Sequence, residues 1–310
     1  MLSAEQEQAG GMRLSVIIAE ESAAANLWGL FAVLQPSEHP QVEFLVCSAN
    51  VDCLREHVPD LPNVRLVAGA TNARIPHLWR DGLHLAQAEC VALTTAHCVP
   101  ASDWLQRLLG LSLVPPLVAV GGAIRNVQPA DALGRAIYAM RYCNYTPARE
   151  PGACSDLAAD NALYRRRDIL ELEALLHIGF WEPSFHEVFL KDGKELRFDP
   201  ELLVIHHNRY GARDFMRQRF SHGIEFGLAR AASIPRSKCL LMILLGPLLP
   251  LVFLRKLRAK ARADSGIELG CGADLFWLTC FVCAWCFGEW IGYGKSLPRR
   301  TSSWSEGAAQ

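Results

Sequence analysis

The first half of the chain alternates short, uncharged, β-branched runs with longer stretches whose apolar residues recur at helical spacing. RLSVIIAE (13–20) reads as a buried parallel strand. ESAAANLWGLFAVLQ (21–35) follows as a helix, with Ser22 as its candidate N-cap. After a turn at PSEHP come a strand, VEFLVCS (42–48), a short polar segment compatible with helix, and a third strand, NVRLVAG (63–69). ARIPHLWRDGLHLAQAE (73–89) predicts a helix after Pro76, and CVALTTA (90–96) a fourth strand. PASDWLQRLLGLS (100–112) predicts another helix and PPLVAVGGAIRN (115–126) a further strand. Strands and helices alternating through short connections imply right-handed crossovers and a mostly parallel sheet.

Beyond residue 150 the pattern loosens. SDLAADNALYRRRDILEL (155–172) reads as a loop entering a helix, and GFWEPSFHEVFLKDG (179–193) as a Trp-bearing loop opening a helix that stops at Gly193. KELRFDPELLVIHHNRY (194–210) predicts a strand, a turn at Asp199-Pro200 and a second strand ending in two histidines. ARDFMRQRFSHGIEFGLARA (212–231) is an Arg-rich amphipathic helix. From Cys239 the character changes: CLLMILLGPLLPLVFL (239–254) is uncharged, LFWLTCFVCAWCFG (275–288) nearly matches it, and the basic RKLRAKAR (255–262) lies between them.

A span needs about 20 apolar residues, so both runs are short. Two full crossings would also put the basic loop on the far side of the membrane, against the tendency of such loops to stay inside. A hairpin in the cytoplasmic leaflet, with Arg and Lys on anionic headgroups, removes that conflict. The reading is therefore a tail over 1–12, a sheet domain over 13–233, a membrane-associated helical hairpin over 234–297 and a tail over 298–310.

Composition refines this. The chain has 310 residues, 51% of them hydrophobic, and a net charge of −1, which supplies no global field for nucleic acid. Eleven cysteines lack a framework spacing and fit reduced, packed thiols in the cytosol. Cys280, Cys283 and Cys286 fall on an apolar aromatic helix, where cysteine acts as a small hydrophobe. The polar, acidic opening MLSAEQEQAGG does not read as a signal peptide.

Six segments follow one another in a telling order: LSVIIAEESAAANLWGLFAVL, VEFLVCSANVD, VALTTAHCVPASDWL, DNALYRRRDILE, GFWEPSFHEVFLKDGKELRFDPELLVIHH and RQRFSHG. From about Leu14 to Arg230 this order resembles the family 2 glycosyltransferases, enzymes of the GT-A fold that move a sugar from a nucleotide-diphosphate donor. The third segment matches the family's Asp-Ala-Asp-x-x-Pro strand end down to Pro100, Asp103 and Trp104. The fourth matches Asn-x-Ala-x-Arg-Arg, and the last stands where many members carry Gln-Arg-x-x-Trp. The resemblance implies a GT-A (nucleotide-diphospho-sugar transferase) fold, a nucleotide-sugar donor, inversion at the sugar, and a divalent metal (Mn or Mg). With the apolar hairpin, it also implies attachment to the cell membrane, a cytoplasmic catalytic domain and a lipid-linked or polysaccharide acceptor.

Two departures bear on chemistry. Ser48 and Ala49 replace the acidic pair that contacts the nucleobase, and Thr95-Ala96-His97 replaces the metal-binding Asp-x-Asp. Mg²⁺ prefers oxygen ligands, usually one or two carboxylates plus phosphates. His97 could instead ligate a softer ion such as Mn²⁺ or Zn²⁺, act directly on a phosphate, or cap the turn. With His206 or His207, it forms the candidate metal site.

The resemblance further assigns Glu182 as the general base that takes the acceptor hydroxyl proton, with Glu187 and His186 as fallbacks. Ala19, Glu20, Ser48, Asn72, Thr95, His97, Arg217, Gln218 and Arg219 are the donor-side candidates, and Asp160, Asn161 and Trp181 those on the acceptor side. A catalytically silent relative that binds glycan or partner, and a membrane scaffold, are the alternatives.

Overall fold

A computed structural model describes residues 11–299, apart from 129, 209, 264–266 and 268, so most of both tails lies outside the described residues. The chain forms two units: Met1–Val127 with Asn144–Arg209, and Gln128–Cys143 with Tyr210–Gln310. The second unit therefore draws in 128–143 and 210–233, which the sequence pattern grouped with the sheet.

The first unit is built on nine strands: β1 Leu14–Glu20, β2 Val42–Ser48, β3 Val64–Ala68, β4 Cys90–Thr95, β5 Cys98–Pro100, β6 Leu117–Asn126, β7 Gly152–Cys154, β8 Asn161–Arg165 and β9 Glu195–His206. Their order is β3-β2-β1-β4-β8-β6-β9-β5, with β7 on β9. β1 to β4 are mutually parallel, and β6 runs parallel to β9. β8 lies antiparallel between β4 and β6. Every residue of β1 and β2 is buried, which is why both read as mainly apolar rather than alternating, with Glu43 of β2 buried against Ser15 and Arg65.

Three local expectations are corrected. NALYR (161–165) is a strand, not the entry to a helix; all five residues are buried between two neighbouring strands, and tertiary burial overrides the helical look of the arginines that follow. The turn at Asp199-Pro200 is a register break inside one strand: Asp199 pairs with Gly122 and Leu203 with Ala123, so 200–202 bulge out around a proline that cannot donate to the ladder. A Cβ on Gly122 would stand 1.9 Å from the Leu202 carbonyl oxygen, so only glycine fits there. Ser22 caps nothing; the helix starts later, at Leu27–Leu34, without a side-chain cap.

The second unit is helical: Ala132–Tyr142, Ala212–Ser233, Arg236–Leu245, Leu249–Ala263 and Ala273–Arg299. RKLRAKAR is not a loop, since it continues the helix Leu249–Ala263, with no Gly or Pro to stop it. Two stretches, Arg236–Arg262 of 27 residues and Ala273–Ser296 of 24, are long and apolar enough to cross a membrane. The first breaks at Gly246–Leu248, where Trp290 Nε1 donates to the Ile243 carbonyl.

Ala212–Ser233 and Ala273–Arg299 pack backbone to backbone through two Gly-x-x-x-Gly repeats, GIEFG (223–227) and GEWIG (288–292). A Cβ on Gly223 would lie 2.3 Å from the Trp285 carbonyl oxygen, on Gly227 2.4 Å from that of Glu289, on Gly288 2.1 Å from that of Phe220 and on Gly292 2.4 Å from that of Ile224. Gly294, on the same helix, has nothing within 4 Å of its would-be Cβ. Gly288→Ala is expected to destabilise by about 1–3 kcal/mol through overpacking. Gly294→Ala is expected to be neutral or to stabilise by up to about 1 kcal/mol, since alanine favours helix. Thermal unfolding in detergent reads this difference of sign.

Candidate functional site

The carboxyl ends of β2, β1 and β4 share one edge, with Glu20 opposite Ser48 and Ala19 opposite Thr95. Such edges are where open α/β sheets hold ligands. Glu20 is buried there, and its two oxygens divide the work: Oε1 accepts from the Ala23 amide at 2.9 Å and Oε2 from the Ser48 hydroxyl at 2.8 Å. Ser48 Oγ also accepts from the Asn50 amide at 3.1 Å, which sets the turn leaving β2. An acid therefore reaches the end of β2 from β1, although β2 itself ends in serine. Ala19 contributes its carbonyl to the Ala96 amide, and Asn72, in the loop after β3, is exposed with φ 63°.

A second acid meets the end of β4. Thr95 Oγ1 donates to Asp160 Oδ1 at 3.1 Å, and Thr94 Oγ1 to the Asp160 carbonyl at 2.9 Å. Asp160 immediately precedes β8, whose Asn161 pairs with Thr94, so the antiparallel register carries this carboxylate to the strand end. Asp160 is only 6% exposed. The next residue, Asn161, belongs to the frame: Oδ1 accepts from Trp104 Nε1 at 2.8 Å, and Nδ2 donates to the carbonyls of Ala123 and Leu202.

His97 follows in the turn after β4. Its Nδ1 lies 3.3 Å from the His207 carbonyl, which can only accept, so Nδ1 carries the proton. Its Nε2 lies 3.2 Å from Ser22 Oγ. Both ring nitrogens thus have protein partners, and the residue expected to cap a helix holds the imidazole instead. His206 ends β9 fully buried, 6.1 Å from His97 between ring centroids.

Among the described residues, no three His, Cys, Asp or Glu side chains converge as a metal site. Both ring nitrogens of His97 have protein partners, so an ion on the His97–His206 pair would take the place of Ser22 at Nε2. Asp160 brings one carboxylate to this edge, its Oδ1 held by Thr95; hard divalent ions usually take one or two carboxylates together with phosphate oxygens and water.

Glu182 opens the helix Glu182–Lys191, where the helix dipole favours a carboxylate. Its loop is tied to the helix Ile75–Leu85, since the Phe180 amide donates to the Pro76 carbonyl at 2.8 Å. One turn along, Trp79 Nε1 donates to the Thr94 carbonyl at 2.9 Å. One helix therefore positions both the end of β4 and the Glu182 loop. Phe180 stands edge-on to Tyr164 at 5.2 Å and packs on Phe185 at 4.6 Å, which anchors the loop that leads into Glu182. Trp181 is half-buried, and its Nε1 donates to the Ile178 carbonyl.

Behind Glu182 lie groups that sequence reasoning missed. Tyr145 donates to Asp156 Oδ2 at 3.0 Å, and its phenol pKa is pushed up by burial, then by Asp156 and Glu182. Burial and Glu182 raise Tyr164 likewise, and its hydroxyl sits 2.9 Å from His186 Nε2. Both tyrosines stay neutral donors. No spacing rule marks them, because they stand on separate elements.

Burial lowers the pKa of His186 from 6.5 to about 4. Between those values the unfolded state binds the extra proton. The stability contributed by neutral His186 is therefore complete above 6.5 and lost as pH falls towards 4, by roughly 3 kcal/mol. Denaturant unfolding across this window is expected to show that slope, and His186→Gln to flatten it. His186 thus stays neutral above about pH 4 and rests against the Tyr164 hydroxyl.

Arg217, Gln218 and Arg219 belong to the second unit. Gln218 donates to the Tyr210 hydroxyl at 2.9 Å, Arg219 lies over the Phe215 ring at 4.9 Å, and Arg217 is exposed.

Glu20 ends β1 and Asp160 precedes β8, both at the carboxyl edge of a mostly parallel sheet flanked by helices, a GT-A-like fold. The chain is similar over 93% of its length, and over 87% of the other chain, to a mannosyltransferase, PcManGT from Pyrobaculum calidifontis, solved with GDP-Man and Mn²⁺. The TM-score is 0.53 at 16% identity, a likeness of fold. Residues 32–172 match the model of Glycosyl transferase family 2. No curated protein sequence matches it.

Proposed function

We propose that the protein is a membrane-attached, inverting glycosyltransferase whose donor diphosphate is received at the ends of β1 and β4 and whose general base is Glu182. One observation carries this: the two acids absent from β2 and β4 are supplied to the same strand ends by Glu20 and Asp160. Glu20, acting with Ser48, would take the nucleobase side. Asp160, oriented by Thr95, would hold a divalent ion shared with the donor phosphates, and that ion would offset the charge of the departing nucleoside diphosphate. His97, with Nδ1 protonated and Nε2 on Ser22, would shape the loop around the phosphates.

On the acceptor side, Glu182 would accept the hydroxyl proton as the oxygen attacks the anomeric carbon from the face opposite the leaving group. Trp181 beside it suits stacking on a sugar. The apolar helices support attachment to the cell membrane with the catalytic unit cytoplasmic, where nucleotide sugars are, and hence a lipid-linked or surface-glycan acceptor.

Nucleoside diphosphate release from a panel of donor sugars tests this reading. Turnover with at least one donor is expected. No turnover with any donor, despite intact nucleotide binding, would identify a catalytically silent relative. Glu20→Ala removes the acceptor of two hydrogen bonds and is expected to weaken nucleotide binding roughly tenfold or more, as titration calorimetry would read.

A further inference from the structure

The second unit carries a groove of about 560 Å³ between the first half of Ala212–Ser233 and the apolar helix Ala273–Arg299. Its walls are Met216 and Phe220 from one helix and Trp277 and Phe287 from the other. Arg213 and Arg217, four residues apart and so on one helix face, line it as well. Both are exposed, and neither pairs with a carboxylate among the described residues.

Two guanidinium groups on the wall of an apolar trough, unpaired among the described residues, suit an anion that carries a hydrocarbon chain. Guanidinium matches phosphate oxygens by geometry as well as charge. The volume lies within the range of a site for one such ligand. From Trp277 to Phe287 the helix rises roughly 15 Å, enough to run beside an extended chain. One wall is also a stretch able to cross a membrane, so a lipid chain can enter without leaving an apolar environment.

We infer that this groove binds the phosphate end and first chain segment of a single-chain lipid carrier, the membrane end of a lipid-linked acceptor. This rests on the lipid-linked acceptor of the proposed function and assigns Arg217 to the acceptor's carrier rather than to the donor. The groove selects the phosphate–chain junction, and the sugar or glycan beyond it is read elsewhere.

The test uses the full chain in nonionic detergent micelles, with hexadecyl phosphate as the probe and hexadecanol and glycerol 3-phosphate as controls. Saturable binding of hexadecyl phosphate alone is expected. The double variant Arg213→Ala/Arg217→Ala should weaken it about tenfold or more, and Phe220→Ser should do so at an unchanged melting temperature. Equal binding of hexadecanol, or no loss in the double variant, would overturn the inference. So would an equal loss of affinity for phosphatidylserine vesicles, which would make the arginines a bilayer-headgroup contact. Donor hydrolysis is measured separately: if it persists without hexadecyl phosphate binding, only this inference fails, and if the probe binds without any donor turnover, only the transferase reading fails.

Discussion

Glu182→Gln is expected to lower sugar transfer by about 10²–10⁴-fold while leaving nucleotide binding unchanged. The substitution keeps the shape of the side chain and the helix start at Glu182–Lys191 but removes the group able to take a proton. Its surroundings argue for the role. Tyr145 and Tyr164 both feel the Glu182 charge and remain protonated, so neither can replace it as a base. His186 is buried behind Tyr164 and, neutral above about pH 4, is held on a hydroxyl rather than on solvent. A split in kinetics, with kcat falling and the donor dissociation constant constant, is the signature of a lost base. Equal losses in both would mean that Glu182 only supports the fold.

Asp160→Asn is the second large effect. The amide retains an oxygen for the Thr95 hydroxyl, so the packing beside β8 should survive, while the negative charge is gone. If Asp160 holds an ion with the donor phosphates, the variant should lose the metal response of nucleoside diphosphate binding and about 100-fold or more in turnover, since a lost charge–charge contact near a desolvated diphosphate costs several kcal/mol. Wild-type binding should weaken on chelation, whereas that of Asp160→Asn should be indifferent to it.

The parallel half of the fold was legible because β1, β2 and β4 are buried on both faces and appear as mainly apolar runs between helical periods. β8 was not, because five buried residues followed by arginines carry no periodicity that separates strand from helix. The Asp199-Pro200 bulge looked like a turn for the same local reason, and only pairing with β6 distinguishes the two. At the site, Thr95 and His97 were rightly singled out as lacking carboxylates of their own. What a linear reading could not supply was the partner: Asp160 reaches Thr95 across 65 residues, and Ser22 reaches His97 across 75. The glycine repeats of the second unit were visible only as spacing, since nothing in the sequence pairs the two helices that carry them.

The claim that Asp160 replaces the missing strand-end aspartate is tested most directly by calorimetric titration of nucleoside diphosphate into wild type and Asp160→Asn, each with and without Mn²⁺. The account predicts Mn²⁺-enhanced binding in the wild type and no enhancement in the variant. Identical Mn²⁺ enhancement in both proteins would contradict it.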